Sequence, residues 1–443
     1  MKTPTTPPSL SKLLKGIGPD NLLQLLAKVA EPTVSGEYLH WDKLRHRTPP
    51  FDLSLREWWL GLKLQRGTQA KPIALSDNCG TPFSFNLADP IPEKLHEIDL
   101  KAGGAVQMPE PVVNPESRNS YIVRSLMEEA ITSSQLEGAA TTREVAKEMI
   151  RRGITPRDRS EQMILNNFQT MERIIQVKNE PLTEDLIFEI HRMVTDKTLD
   201  NNSAAGRLRR DDENCVVGDD FGEIDHVPPN PIELPARMAA MIDFANGKTP
   251  SYFVHPAIRS IILHFWLAYD HPFIDGNGRT ARALFYWSML RHHYWLFEFV
   301  SISRIFLRAP VKYGRAFLYT ETDDNDLTYF LIYHLQAIDE SIRDLYNYIN
   351  LKTNQTKALG QELSGMVLLN HRQRDLISHA LRHPGFLYSI KSHQNSHSVV
   401  YQTARNDLLD LVSRGLLTKE VRGKSFSFKP AKDIAEKLRE PGP

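Results

Sequence analysis

The sequence predicts a mainly α-helical protein with a small β-hairpin in its helical core, a mixed N-terminal region and a C-terminal winged helix. Apolar residues recur at helical spacing through the middle of the chain, and turn signals between short β-prone runs are few. From residue 366 the order is helix, helix, hairpin. The 443 residues are 41% hydrophobic and 24% charged, as expected of a globular protein of about two to four domains.

Composition excludes several classes of protein. Lys plus Arg and Asp plus Glu both number 54, so the whole-chain charge favours no class of partner. No run approaches the ~20 apolar residues of a membrane span, and the N-terminus lacks the apolar segment of a secretory signal. Cys79 and Cys215 lie far apart without metal-ligand spacing, so we expect no disulfide framework and a cytoplasmic location.

Residues 1–105 are predicted to form a mixed region ahead of the core. Helices are expected at "NLLQLLAKV" and "LSLREWWLGLKLQRG". In the second, Leu55, Trp58, Trp59 and Leu62 follow the i, i+3, i+4, i+7 spacing of one helix face. Adjacent tryptophans on such a face indicate a buried core rather than a binding site.

The predicted helical core covers residues 106–345. Helices are expected over residues 120–138, at "TEDLIFEIHRMVTD" with Thr183 as N-cap, and at "HPAIRSIILHFWLAYDH". The run "TARALFYWSML" is apolar nearly all round, which predicts a buried central helix. A hairpin is predicted from Val216 to Asp225, because "GDDFGE" is a turn signal between β-prone runs.

A linker helix over residues 346–365 should lead to a winged helix over 366–430 and a tail over 431–443. From residue 361 onward, the chain contains 13 Lys and Arg and 8 Asp and Glu, a net charge of +5. The second helix and the wing carry side chains able to reach DNA, namely Gln402, Thr403, Arg405, Asn406 and Lys424. The positive excess is small, and Asp407 and Asp410 lie on the same helix. We therefore rank DNA binding below protein interaction or target docking.

The segment "HPFIDGNGRTAR", His271 to Arg282, contains the groups that phosphate-transfer chemistry needs. The imidazole of His271 titrates near neutrality, so it can take a proton from an incoming hydroxyl. Asp275 is a hard oxygen ligand suited to a Mg²⁺ that also contacts phosphate oxygens. The segment is predicted to be a loop between two core helices.

The same segment also contains an anion-binding arrangement. Gly276 and Gly278 let backbone N–H groups approach an anion at the start of the next helix, and Asn277 adds a side-chain donor. Arg279 and Arg282 are close enough on that helix to converge on phosphates. Each residue alone has a structural explanation, as a cap, a turn or a solvated charge. Their combination before an apolar helix favours the functional interpretation.

This segment resembles the Fic motif, HxFx[D/E]GNGRxxR, and matches it at every fixed position. "GRLR" at Gly206–Arg209 and "HVPPNP" are similar to landmarks that precede the core in that family. The N-terminal "YLHWDKLRHR" and the C-terminal winged helix resemble multidomain bacterial members. The resemblance implies a Fic helical core in which the hairpin is the flap that aligns a target segment by strand pairing.

The resemblance implies a protein adenylyltransferase, which transfers AMP from ATP to a Tyr, Thr or Ser hydroxyl of a target protein. By position, His271 would be the base and Asp275 the Mg²⁺ ligand. The anion hole would be formed by Gly276, Asn277 and Gly278, and the outer phosphates would be held by Arg279 and Arg282. Tyr313 lies where family members line the adenine pocket. Modification of the chain itself and a homodimer stay open, and no membrane partner is expected.

"SSQLEG", Ser133 to Gly138, resembles the family's inhibitory motif, [S/T]xxxE[G/N]. Ser133 and Glu137 are four residues apart, so both would lie on one face at a helix end. A helix end with a glycine stop is the structural alternative. The resemblance implies that Glu137 pairs with Arg282 and withdraws it from the γ-phosphate of ATP.

Three functions therefore compete. The first is an adenylyltransferase restrained by Glu137. The second is a transcriptional regulator whose core senses nucleotide, although a pure sensor would not need the base His271. The third is a hydrolase that removes AMP from a modified protein.

Overall fold

The computed structural model describes residues 3–15, 17–103, 115–213, 215–218, 224–362, 369–383, 385–422 and 425–438. The chain forms two compact units. The first contains Met1–Gly104, Gln169–Phe297 and Ile302–Glu340, and the second contains Ala105–Phe168, Glu298–Ser301 and Ser341–Pro443. Both are built mostly from helices, which confirms the predicted mainly α fold class. The domain boundaries at residues 105, 345, 365 and 430 stay predictions.

The described helices are, in chain order, α1 Leu10–Leu14, α2 Pro19–Lys28, α3 Trp41–Leu44, α4 Leu55–Gln69, α5 Ile91–Ile98, α6 Pro115–Leu136, α7 Arg143–Arg152, α8 Arg159–Val177, α9 Glu184–Thr195, α10 Leu234–Ala245, α11 Pro256–Asp270, α12 Asn277–Arg291, α13 Ser303–Arg308, α14 Pro310–Thr322, α15 Thr328–Glu362, α16 His371–Arg382, α17 Ile390–His397, α18 Tyr401–Ser413 and α19 Ile434–Lys437. The described strands are β1 Lys71–Ser76, β2 Pro82–Phe85, β3 Val217–Gly218, β4 Ile224–His226, β5 Tyr388–Ser389, β6 Leu417–Arg422 and β7 Ser425–Pro430. No described helix is both long and apolar enough to cross a membrane.

Helices α11 and α12 form the centre of the first unit. They pack against each other, α10 packs on α11, and α9 packs on α12. Every residue of α12 between Arg279 and Leu290 is buried, which confirms the predicted central helix. Thr183 caps α9 as predicted, because its side chain accepts a hydrogen bond from the N–H of Leu186. The predicted catalytic segment spans the end of α11, a loop and the start of α12.

The N-terminal region contributes its own apolar cluster and a hairpin to the first unit. Trp58 and Trp59 are buried in that cluster, as the helical spacing predicted. Strands β1 and β2 pair antiparallel, with Lys71 opposite Phe85. The region is therefore mixed, as expected.

A buried polar network joins this region to α15. The Arg66 guanidinium stacks 3.8 Å from the Tyr38 ring centre and donates a hydrogen bond to the Tyr329 hydroxyl at 2.8 Å. Tyr38 donates to a carboxylate oxygen of Asp326 at 2.5 Å. Arg66 is only 2% exposed, so a buried charge depends on these partners.

The predicted hairpin is present as β3 and β4, which pair antiparallel with Val217 opposite His226. Its turn, residues 219–223, lies outside the described residues.

The C-terminal part of the second unit has the elements of a winged helix. Helices α16, α17 and α18 pack around one apolar cluster with a sheet of strand order β5-β7-β6. Gly415, at φ +72°, follows α18 and ends it as predicted. The helix α17 was not predicted. Lys424 lies outside the described residues.

Within the second unit, α7 connects the winged helix to α6, the helix that carries Ser133. The side-chain amide of Asn395 on α17 donates to the carbonyl oxygen of Arg151, at the C-terminal end of α7, at 3.1 Å. Glu128 on α6 accepts hydrogen bonds or ion pairs from Arg143 and Lys147 on α7. Helix α6 starts at Pro115, earlier than expected, because proline is tolerated in a first helical turn.

Candidate active site

The loop between α11 and α12, residues 271–276 and called here the motif loop, has an unusual backbone. His271 ends α11 in the left-handed conformation, with φ 44° and ψ 56°. Gly276 precedes α12 at φ 83°, and a Cβ atom there would lie 2.7 Å from Cγ2 of Thr195. Both conformation and space therefore require glycine at position 276.

Asn277 closes the motif loop on itself. Its Oδ1 accepts the N–H of Phe273 at 2.9 Å, and its Nδ2 donates to the carbonyl oxygen of Phe273 at 2.8 Å. The side chain that was predicted to contact an anion thus holds the loop closed. The N–H groups of Asn277, Gly278 and Arg279 lie in the first turn of α12, where no earlier turn of the helix supplies carbonyl oxygens to accept them.

The His271 side chain is half-buried and faces the end of its own helix. Its Nδ1 lies 3.4 Å from the carbonyl oxygen of Ala268. A carbonyl oxygen only accepts, so this contact favours the tautomer with the proton on Nδ1. The neutral ring then has its lone pair on Nε2, where a general base needs it.

Arg209, the last residue of "GRLR", holds the backbone of the motif loop. Its Nε donates to the carbonyl oxygen of His271 at 2.9 Å, and its backbone N–H donates to the carbonyl oxygen of Pro272 at 2.9 Å. Its guanidinium also donates to the carbonyl oxygen of Pro229. Burial lowers the pKa of Arg209, and two carbonyl oxygens, those of His271 and Pro229, accept from its guanidinium.

Asp270, directly before His271, is buried in an ion pair. Arg237 lies 2.6 Å from its Oδ1, and the Trp266 indole N–H donates to its Oδ2 at 3.1 Å. Burial raises the pKa of Asp270 to about 6, with Arg237 opposing that shift. This pair anchors the end of α11.

Asp275 is the carboxylate of the motif loop, and its side chain is 36% exposed. Arg279 lies 3.5 Å from its Oδ1 and donates from its other terminal nitrogen to the carbonyl oxygen of Val194 at 2.6 Å. Among the described residues, no group of three His, Cys, Asp or Glu is arranged to hold a metal. A single exposed carboxylate fits Mg²⁺, which takes one or two protein carboxylates together with phosphates and water.

His191 on α9 lies beneath the motif loop and was not predicted. Its Nδ1 accepts the N–H of Gly206 at 2.8 Å, and its Nε2 lies 2.8 Å from the carbonyl oxygen of Asp275. Its ring stacks on Phe273 with centres 3.8 Å apart. Burial lowers the pKa of His191 to about 4, so the ring is neutral.

Tyr313 ends a chain of hydrogen bonds through two buried histidines. His334 Nδ1 donates to the carbonyl oxygen of Phe330, so its Nε2 accepts from Nδ1 of His264 at 3.1 Å. His264 Nε2 in turn lies 3.0 Å from the Tyr313 hydroxyl, which must donate to it. The chain fixes the half-buried Tyr313 ring, which also stacks on Phe306.

His226 anchors the hairpin to the helices around the motif loop. Its Nδ1 lies 2.8 Å from a carboxylate oxygen of Glu321, and its Nε2 lies 2.7 Å from the carbonyl oxygen of Tyr269. Burial opposes a charge on this ring, but the hydrogen bond and charge of Glu321 outweigh burial and raise the pKa of His226.

The two residues of the predicted inhibitory motif lie in the second unit. Ser133 is buried near the end of α6, and Glu137 is exposed just beyond it. The backbone N–H of Glu137 donates to the carbonyl oxygen of Ser134, and Gly138 follows at φ +88°. Arg282 belongs to the first unit and is 2% exposed. The pairing of Glu137 with Arg282 stays a prediction.

Residues 181–289 match the Fic/DOC family. A protein adenylyltransferase Fic from Nematostella vectensis is 41% identical over 107 residues, which are 24% of this chain and 22% of that protein. A protein of the same name from Aedes aegypti is 34% identical over 117 residues, 26% of this chain and 21% of that protein. The chain thus spans about a fifth of the length of these curated relatives.

Among solved structures, a Fic family protein from Desulfovibrio desulfuricans G20 has a TM-score of 0.47 and 18% identity, covering 77% of this chain and 94% of that one. A Fic domain containing signaling protein from Bacteroides thetaiotaomicron has a TM-score of 0.42 and 21% identity, covering 58% of this chain and 94% of that one.

Proposed function

We propose that this chain is a protein adenylyltransferase that transfers AMP from ATP to a hydroxyl side chain of a protein, because residues 181–289 match the Fic/DOC family. One observation carries the proposal. The motif from His271 to Arg282 is complete, and its backbone is held by three separate side chains, namely Arg209, His191 and Asn277. Such rigidity is expected where catalysis depends on positioning.

In the proposed reaction, Nε2 of His271 takes the proton of the target hydroxyl. The hydroxyl oxygen attacks the α-phosphorus of ATP, the bond from that phosphorus to the bridging oxygen breaks, and pyrophosphate leaves. The N–H groups of Asn277 and Gly278, at the start of α12, would stabilise the negative charge on the phosphates. Arg282 would bind the outer phosphates. ATP as the donor favours a cytoplasmic location.

Asp275 is the residue that would hold Mg²⁺. The ion would neutralise phosphate charge when it is bound with ATP. Arg279 lies against the same carboxylate and against the carbonyl oxygen of Val194, so we assign it to holding Asp275 in place as well as to the phosphates. Tyr313, fixed through His264, is the residue that we assign to the adenine ring.

Incubation with α-labelled ATP and Mg²⁺, followed by intact-protein mass spectrometry, tests the reaction. We expect a mass increase of one AMP group on a target or on the chain itself, and no increase with His271→Ala. A mass increase of one phosphate would contradict the proposal. Release of AMP from an already modified protein, without transfer, would indicate the hydrolase instead.

We also propose that Glu137 restrains the transfer. The support is the "SSQLEG" motif at the end of α6, upstream of a complete catalytic segment. Glu137→Gly should raise self-modification, and adding His271→Ala should abolish it. Gln135→Gly, two residues earlier and within the last turn of α6, is the control for loosening the helix end. Equal activity of the parent and Glu137→Gly would contradict the restraint.

For the winged helix we propose protein docking rather than DNA binding. Large apolar side chains are exposed on α18 and on the wing, where Tyr401 is 53% and Val421 is 68% exposed. Arg372 is paired with Asp407, and Arg414 with Asp410, so these arginines are engaged within the domain rather than offered to DNA phosphates. Salt-dependent binding of the full chain to duplex DNA would reverse this ranking.

A further inference from the structure

The orientation of one peptide bond in the motif loop depends on a residue of α9. His191 accepts the N–H of Gly206 at Nδ1, so its neutral ring carries the proton on Nε2 and donates it to the carbonyl oxygen of Asp275. The stacking on Phe273 fixes the plane of the ring. His191 is 1% exposed, so no water competes for these hydrogen bonds.

The direction of that carbonyl decides the direction of the next N–H. The peptide bond from Asp275 to Gly276 is trans, and in a trans peptide the C=O and N–H point in opposite directions. The hydrogen bond to His191 turns the carbonyl toward α9. It therefore turns the N–H of Gly276 away from α9, to the side where the Asp275 carboxylate accepts it.

We propose that His191 is a positioning residue for nucleotide binding, which sets the 275–276 peptide so that the Gly276 N–H holds the Asp275 carboxylate on the side of the triphosphate. This inference rests on the proposed function, because it assumes that the motif loop binds a nucleotide. His191 also binds Gly206, the first residue of "GRLR", and Arg209, the last residue of that segment, holds His271. The supports of His271 and of Asp275 are therefore connected.

Two substitutions of His191 separate positioning from packing. His191→Phe keeps an aromatic ring against Phe273 but loses both hydrogen bonds. His191→Gln keeps a donor and an acceptor on one planar group. Phe188→Leu is the matched control, because Phe188 lies on the same helix and contacts Phe273 only through its ring, with centres 6.3 Å apart.

The measurement is the dissociation constant for ATP with Mg²⁺, taken on the full chain below the unfolding transition of every variant. His191→Phe should weaken binding by about tenfold or more, as substitutions of residues that orient a metal ligand do. His191→Gln and Phe188→Leu should bind like the parent. A lower melting temperature for His191→Phe together with parental ATP affinity would show that His191 only packs, and would overturn the inference.

Transfer assays on the same variants distinguish the two proposals. If ATP affinity depends on His191 while neither the parent nor Glu137→Gly transfers AMP, the proposed function fails and the positioning role stands. If the parent transfers AMP and His191→Phe matches it in both affinity and rate, the positioning role fails and the proposed function stands.

Discussion

Arg209 Nε lies 2.9 Å from the carbonyl oxygen of His271, so the arginine holds the backbone of the predicted base and does not bind its imidazole through this contact. The two residues are 62 positions apart in sequence. His271 is in the left-handed conformation, which costs free energy for a residue other than glycine. Arg209 helps to offset that cost by fixing the carbonyl that follows.

Arg209→Lys should therefore lower the rate of AMP transfer at saturating ATP. Lysine cannot supply donors to His271 and Pro229 from one rigid group, so the base is displaced, at a cost of about tenfold to a hundredfold in rate. The KM for ATP should change little. Arg207→Lys is the control, because Arg207 pairs with Glu213 instead. Equal rates for the two variants would contradict the role of Arg209.

Gly276→Ala should abolish transfer, whereas Gly247→Ala should only destabilise the fold. Both glycines have positive φ, and alanine in that conformation costs about 1–2 kcal/mol. A Cβ at position 247 meets nothing within 4 Å, but at position 276 it meets Thr195 at 2.7 Å. Chemical denaturation and the transfer assay measure the two effects. A Gly276→Ala chain with parental activity would show that the loop tolerates the displacement.

The hairpin should loosen as the pH rises. The folded-state pKa of His226 lies above its ordinary value of 6.5, so its charged pair with Glu321 is fully present below pH 6.5 and is lost as the pH rises through the raised pKa. Hydrogen exchange of residues 217–218 and 224–226, corrected for intrinsic rates, should show less protection above that pKa. His226→Gln should remove this pH dependence. A pH dependence that persists in His226→Gln would point to another group.

If Glu137 restrains transfer as proposed, Asn395→Ala should raise self-modification, because Asn395 holds the end of α7 and α7 holds Glu128 of α6, the helix that leads to Glu137. Loss of a hydrogen bond worth about 1 kcal/mol corresponds to about fivefold in an equilibrium, so the rise should not exceed that. Asn406→Ala on the neighbouring α18 is the control, since Asn406 bonds only to the exposed Gln402 among the described contacts. In a chain that already contains Glu137→Gly, Asn395→Ala should not raise the rate of self-modification further. An equal rise in both backgrounds would exclude an effect through α6.

Local signals predicted the fold well. Each of these signals acts within a few residues, so it can be read from the sequence. Examples are the capping hydroxyl of Thr183, the helical spacing around Trp59 and the glycine stop at Gly415. Helix α17 was missed because "IKSHQNSH" has no apolar periodicity. Its buried residues include Ser392, His393 and His397, whose burial depends on packing partners elsewhere in the chain.

The supports of the site could not be predicted for the same reason. His191 and Asp275 are 84 residues apart, and a histidine on an apolar helix face has no local signature of its partner. Local rules also cannot tell that the Asn277 side chain closes the loop on Phe273, since a donor beside two glycines is equally suited to an anion. A long-range contact decided the role of His191, and a choice between two local partners decided that of Asn277.

The buried network of Arg66, Tyr38, Tyr329 and Asp326 sets a limit on how this chain can be recombined. Its members lie on both sides of a stretch of more than two hundred residues. If the chain were joined to another protein near residue 105, one chimaera would therefore contain the buried arginine without its partners, and the other would contain the buried carboxylate without its partners. The unit that can be exchanged between proteins is therefore discontinuous: residues 1–104 must be kept together with 169–297 and 302–340.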